Sequence, residues 1–226
     1  LGPSLSRKRE RGHNKNGCAM TGVFVTGTDT GVGKTLVSAW LVRGWQADYW
    51  KPIQSGSEDG PDRDTVRRLS GAAPERIHPS RWELRAPLSP HEAARLDGVA
   101  LALSDFTLPD TARPLVVEGA GGVLVPLNAH DLMIDLIARL GLPALIVARS
   151  GLGTINHTLL TVEALRRRAV PITGVVMVGP ANPANRAAIE QHGSVTVLAE
   201  LPILTPVSSA AVATLPPPFP CPHHST

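Results

Sequence analysis

In the stretch GVFVTGTDTGVGKT, Gly22 to Thr35, an apolar run enters a glycine-rich turn that ends in Gly-Lys-Thr. Those residue types in that order can hold a triphosphate. Gly31 and Gly33 let the backbone curl so that successive N–H groups point inward, Lys34 reaches the outer phosphates, and the Thr35 hydroxyl is a ligand for Mg2+. A helix opening at Lys34 adds its positive N-terminal end. The spacing is one residue longer than the strict phosphate-loop pattern, with five residues rather than four between Gly27 and Gly33. A tight turn alone would explain the glycines but not a Lys-Thr pair behind an apolar run.

Three further groups suit the same chemistry. Lys51 closes the short apolar stretch DYWKP (Asp48–Pro52), with Ser55 just downstream. Glu118 closes PLVVEG (Pro114–Gly119), and the glycines after it permit close backbone approach to a ligand. An acid there, in a chain that already has Lys34-Thr35, stands where such proteins hold Mg2+ directly or through water. The loop SEDGPDRD offers Glu58, Asp59, Asp62 and Asp64, of which one beside Glu118 would suffice. Farther on, SGLGTINHTLLT (Ser150–Thr161) is a glycine turn opening a helix, a site for a carboxylate or phosphate.

The elements that must position these residues follow from hydrophobic periodicity. The pattern predicts helices over Lys34–Gly44, Asp64–Ser70, Ser89–Leu96, Leu132–Leu140, Ile155–Arg168 and Asn182–Gly193, and strands over Asp48–Pro52, Pro114–Gly119, Pro143–Arg149, Ile172–Val178 and Val195–Pro202. The later strands are nearly continuous Val, Ile and Leu, as in strands covered on both faces. With crossover helices between them, the fold class is α/β: a doubly wound, mainly parallel β-sheet flanked by helices, of the phosphate-loop NTPase type. In such sheets ligands lie beyond the carboxyl ends of the strands, which gathers the loop, Lys51 and Glu118 into one crevice.

At 226 residues the chain has room for one well-buried domain. Its net charge of +3 is uneven: five basic residues against Glu10 give residues 1–20 a charge of +4, leaving residues 21–226 at −1. The composition therefore argues against a nucleic-acid partner. Residues 1–19 lack an apolar signal core and read as a disordered basic leader, with Met20 directly before the first strand. Residues 20–205 read as the domain and 206–226 as a flexible proline-rich tail. Cys18 and Cys221 fall in those terminal segments, and no disulfide framework is expected, which suits a reducing cytoplasm. No apolar run approaches a membrane span, so no membrane partner is expected.

Taken in order, TGTDTGVGKT, KPIQSGS, SPHEAA, VEGAGGVLVPL and GLGTINHTLLT closely resemble the dethiobiotin synthetase family, over Gly22 to about Leu204. That family also uses the longer glycine spacing. The resemblance implies a reaction in which 7,8-diaminopelargonic acid takes up CO2 as a carbamate, the carbamate is phosphorylated by MgATP, and the ureido ring closes. It implies that Lys34 and Lys51 face the γ-phosphate and carbamate, and that Gly31, Val32, Gly33, Lys34, Thr35 and Leu36 wrap the phosphates. It assigns Thr35, Asp64 and Glu118 to Mg2+, Thr30 and Ser55 to substrate, and Gly119, Ala120, Gly121, Pro202, Ile203 and Leu204 to the nucleotide. Gly153, Thr154, Ile155 and Asn156 would hold the substrate's distant carboxylate across a homodimer interface. Two positions depart from the family: Gly31 replaces a Glu of well-known relatives, and Val178 replaces an Asn that reads the purine. The proline tail also replaces the family's C-terminal helix. The rival reading is a partitioning-type ATPase acting as a nucleotide switch. Such proteins carry a second lysine early in the loop, where this chain has Thr and Asp, and often an amphipathic C-terminal helix.

Overall fold

The computed structural model describes residues 21–57 and 60–222; the basic leader, Glu58, Asp59 and the last four residues lie outside the described part. In chain order the elements are β1 (Gly22–Gly27), α1 (Lys34–Trp45), β2 (Asp48–Trp50), β3 (Ile53–Ser55), α2 (Asp62–Ser70), β4 (Ile77–His78), β5 (Trp82–Leu84), α3 (Pro90–Asp97), β6 (Leu115–Gly122), α4 (Met133–Leu140), β7 (Ala144–Arg149), α5 (Thr154–Arg167), β8 (Ile172–Val178), α6 (Pro183–Gly193), β9 (Val197–Leu201) and α7 (Ser209–Ala213).

Seven strands form one sheet in the order β4-β2-β6-β1-β7-β8-β9, and every pairing in it is parallel. The central strands are buried on both faces, which is why runs such as Val23–Val25, Leu115–Val117 and Ala144–Ala148 are apolar without alternation. Along β1 the side chains divide between two cores. Phe24 joins the cluster under α3, α4, α5 and α6, whereas Val23 and Val25 join the one under α1, α2 and α7. The expected doubly wound α/β fold is therefore present. The chain leaves β1 for β2 on one side and later returns to β7 on the other, so the strand order reverses at β1 and opens a crevice beyond its carboxyl end.

The structure departs from the sequence reading in three places. A second, two-stranded parallel sheet pairs β3 with β5. Its three-residue strands are too short to show a period. Helix α2 starts at Asp62, two residues earlier than expected, and this changes which acid enters the site. The segment after residue 205 also corrects the expectation of a flexible tail. Ser208 caps a short helix, α7, by accepting from Ala211 N, and Val212 is buried in the core. Beyond it the prolines run as a strap along α1: Trp40 Nε1 donates to Pro216 O and Trp45 Nε1 to Phe219 O, each at 2.7 Å. Phe219 meets both indoles edge-on, at 6.1 and 5.4 Å between ring centroids. Proline excludes helix and central strand, but it leaves the carbonyls free to accept, and the two indoles supply the donors. Among the described residues no helix is long and apolar enough to cross a membrane.

Candidate functional site

The phosphate-type loop joins β1 to α1. Thr28 N donates to Val147 O on neighbouring β7, which ties the loop to the sheet. Gly31 and Gly33 have φ of 71° and 101°, left-handed values that favour glycine. At Gly33 an added Cβ would also come within 3.2 Å of the Val178 side chain. With the loop so curled, Lys34 and Thr35 occupy the first turn of α1, at the end where a helix favours anions. Lys34 Nζ donates to Asp29 O at 3.0 Å. Asp29 itself accepts from Thr30 N at 2.7 Å and pairs with Arg149 at the end of β7, also at 2.7 Å.

Opposite the loop, four elements bring a charged cluster together. Thr35 Oγ1 lies 3.1 Å from Asp62 Oδ1 on α2 and 3.0 Å from Glu118 Oε1 on β6. Lys51, just past β2, bridges the same acids, at 2.7 Å from Asp62 Oδ2 and 3.2 Å from Glu118 Oε1. Tyr49 on β2 donates its hydroxyl to Glu118 Oε2 at 3.0 Å. Glu118 is 1% exposed and Lys51 5%. Buried charges persist only when paired and hydrogen-bonded, and here every partner is supplied.

Burial is the largest influence on each group, and for Lys51 and Asp62 the neighbours reverse its sign. Burial alone would lower the Lys51 pKa, but Glu118 and Asp62 outweigh it and raise the value, so Lys51 is a permanent cation. Burial pushes the Asp62 carboxyl up, yet Lys51, Thr35 and Lys34 together hold it below the ordinary carboxylate range. For Lys34 burial prevails, aided by Lys51, and the pKa is lowered. Burial and the nearby Glu118 push the Tyr49 phenol well up, so it stays a protonated donor.

The cleft enclosed by these groups has a volume of about 690 Å³ and is lined by Thr30, Gly31, Gly33, Lys34, Thr35, Lys51, Ser55, Glu118, Ala120 and Gly121 from the sequence reading. Asp62, Gln54, Val125 and the Pro87–Pro90 segment complete it. Val32 is buried in the core, Leu36 packs against it, and neither side chain lines the cleft. Gly119 serves packing: an added Cβ would stand 2.7 Å from the Phe24 ring. Pro202, Ile203, Leu204, Gly153, Thr154, Ile155 and Asn156 do not line this cleft. The first three follow β9, and the other four open α5 beside the fully exposed Leu152.

Asp64 is the correction. Its side chain is 57% exposed and lies 3.9 Å from Arg67 on its own helix. Two residues along a helix is a turn of about 200°, so when α2 begins at Asp62 the first acid faces the cleft and Asp64 faces solvent. Sequence reasoning also missed Tyr49 and Gln54, although both stand in the stretches that contain Lys51. Glu58 and Asp59 lie outside the described residues.

The donor set fits a hard divalent cation. Two carboxylates and a hydroxyl converge from three elements, all through oxygen, and one hydroxyl proton cannot serve both acids at once. Thr35, Asp62 and Glu118 would hold the ion beside the triphosphate of the adjoining loop.

A family model described as an AAA domain matches residues 21–211. The chain is 64% identical over 204 residues to the ATP-dependent dethiobiotin synthetase BioD of Paramagnetospirillum magneticum, covering 90% of this chain and 98% of that one. It is 54% identical to the protein of the same name in Novosphingobium aromaticivorans, covering 86% and 94%. A biotin biosynthesis bifunctional protein BioCD of Bordetella avium is 57% identical over 84% of this chain, which spans 41% of that longer protein. Among solved structures, the cell division ATPase MinD of Pyrococcus furiosus superposes with a TM-score of 0.55 at 18% identity, over 85% of this chain and 89% of that one. That last likeness shows the fold alone.

Proposed function

Because the chain belongs to the ATP-dependent dethiobiotin synthetase family, we propose that its cleft joins 7,8-diaminopelargonic acid and CO2 into the ureido ring of dethiobiotin. The protein is an ATP-dependent carbon–nitrogen ligase of biotin biosynthesis. The observation that carries the proposal is the junction of two buried lysines and two carboxylates at the mouth of the phosphate loop. The rival reading as a nucleotide switch has no use for this second charged layer.

In the proposed reaction one substrate amine adds to CO2 and loses a proton, giving a carbamate. A carbamate oxygen bonds to the γ-phosphorus of ATP as the bond to ADP breaks. The second amine then attacks the mixed anhydride at its carbonyl carbon; the carbon–oxygen bond to phosphate breaks, the nitrogen gives up a proton that leaves with the phosphate, and the ring closes. Both nucleophiles belong to the substrate, so the protein's contribution is positioning and charge neutralisation. Lys34 and Lys51 offer ammonium groups to the γ-phosphate and carbamate oxygens. Because Lys51 is held charged, it acts as an electrostatic clamp rather than as a base. Thr30 and Ser55 line the same cleft and suit substrate contacts. Mg2+, held by Thr35, Asp62 and Glu118, would neutralise charge building on the phosphate oxygens.

We further propose a homodimer. Leu124, Leu152 and Leu160 are large exposed apolar side chains; Leu124 and Leu160 line one hollow beside α5, and Leu152 directly precedes the Gly153–Asn156 turn that opens this helix. A second copy covering them would bring that turn to a neighbouring cleft for the substrate's distant carboxylate. A cytoplasmic location follows from the requirement for ATP. The test is phosphate release from MgATP with bicarbonate, with and without the diamine, with the product weighed by mass spectrometry. Diamine-dependent release with a dethiobiotin mass is the expected result, and release indifferent to the diamine overturns the reading.

A further inference from the structure

We propose that Gln54 is a positioning residue for the metal site, acting through the main chain of Asp62. This rests on the assignment of Asp62 to Mg2+ above. Asp62 is the first residue of α2, where backbone N–H groups have no partner within the helix. The preceding residue is Pro61, whose side chain makes no capping bond. The N–H of Asp62 is instead taken by Gln54 Oε1 at 3.0 Å. The other end of the same amide is pinned, since Gln54 Nε2 donates to Ser55 O at 2.8 Å. Gln54 is 5% exposed, so neither bond has water as an easy substitute.

The location explains why this bond matters to the site. Gln54 lies on β3, only Pro52 and Ile53 beyond Lys51, while Asp62 lies across a loop bearing Gly56 and Gly60. One side chain therefore fixes the start of α2 against the segment that carries Lys51. With its backbone held, the Asp62 carboxylate reaches Thr35 at 3.1 Å and Lys51 at 2.7 Å at the same time. Without Gln54 the first turn of α2 can fray, and a displacement of the carboxylate by about 1 Å is enough to spoil such a constellation. Partners behind metal ligands change affinity by about 10–100-fold when removed.

The test uses Gln54→Met, nearly isosteric but unable to accept. Mn2+ binding to the full-length protein with ADP, read by electron paramagnetic resonance, is expected to weaken about tenfold. Exchange of the Asp62 amide with deuterium is expected to quicken. In an Asp62→Asn background, Gln54→Met is expected to leave Mn2+ affinity unchanged, because the residue through which Gln54 acts has lost its charge. Unchanged Mn2+ affinity in the single variant, or an equal loss in both backgrounds, would overturn the proposal, as would a raised diamine KM with Mn2+ binding intact. If Gln54→Met does not fold, Gln54→Asn, whose acceptor falls one methylene short, gives the same readout. A wild type that binds Mn2+ with ADP yet shows no diamine-dependent phosphate release would refute the proposed reaction and leave the role of Gln54 standing.

Discussion

Lys51→Ala tests the charged cluster most directly, because the cost, its pH dependence and the loss of turnover all follow from the same contacts. The Lys51 side chain is 6% exposed, that of Glu118 1% and that of Asp62 34%. Removing Lys51 leaves two acids converging on the Thr35 hydroxyl, with the Lys34 ammonium turned to Asp29 O. Breaking a buried pair by deleting one partner costs about 3–5 kcal/mol, and water access to Asp62 sets the expectation near the lower end, about 3 kcal/mol. In the wild type the folded pKa of Asp62 lies below its unfolded value of about 3.9. That contribution is present above about pH 4 and is lost as pH falls through the folded pKa. In the variant, burial and the facing Glu118 dominate, the folded pKa rises above the unfolded one, and stability is lost as pH climbs. Each unit of rise removes about 1.4 kcal/mol by neutral pH. Urea unfolding in EDTA at pH 4.5, 6 and 7.5, followed by tryptophan fluorescence, is expected to give a flat or rising profile for the wild type and a falling one for the variant. Diamine-dependent phosphate release is expected to drop by about 10²–10³ or more. A variant whose stability matches the wild type at pH 7.5, or rises with pH alongside it, would refute the reasoning.

Three other perturbations separate the remaining assignments. Asp62→Asn is expected to raise the Mg2+ concentration for half-maximal turnover by about tenfold or more, whereas Asp64→Asn stays within about twofold; the reverse result in a Mg2+ titration restores Asp64 to the site. Val178→Asn places an amide at the end of β8, and one added hydrogen bond to a purine, about 1 kcal/mol, is expected to raise the ATP-over-CTP ratio of kcat/KM by about fivefold. An unchanged ratio puts base recognition elsewhere. Ending the chain at Leu215 removes both indole-to-carbonyl bonds and the Phe219 ring, and is expected to cost about 2–4 kcal/mol in urea unfolding and to shift tryptophan emission to the red. An unshifted spectrum with unchanged stability means that the strap does not cover α1 in solution.

Much of this molecule was legible from residue order because its chemistry is local. The loop needs glycines at left-handed positions followed at once by Lys34 and Thr35, and those are neighbours along the chain. The central strands announced themselves for a similar reason: cover on both faces demands an unbroken apolar run, as in Leu115–Val117 and Ala144–Ala148. Thus the α/β class, the phosphate loop, Lys51 and Glu118 were determined by the sequence itself, and so was the family. What escaped it depends on contacts between distant segments. Thr35 and Asp62 are 27 residues apart, and whether Asp62 or Asp64 reaches the cleft turns on a two-residue difference in where α2 begins. No periodicity records that start, where the Asp62 N–H is taken by Gln54 from another strand. The strap is the same case: a proline-rich segment has no internal structure to advertise, and only the indoles of Trp40 and Trp45 on α1 give its carbonyls a place to bind. Backbone geometry and hydrophobic periodicity act over a few residues and can be read in order, whereas the pairing of buried polar groups is decided only when the chain has brought them together.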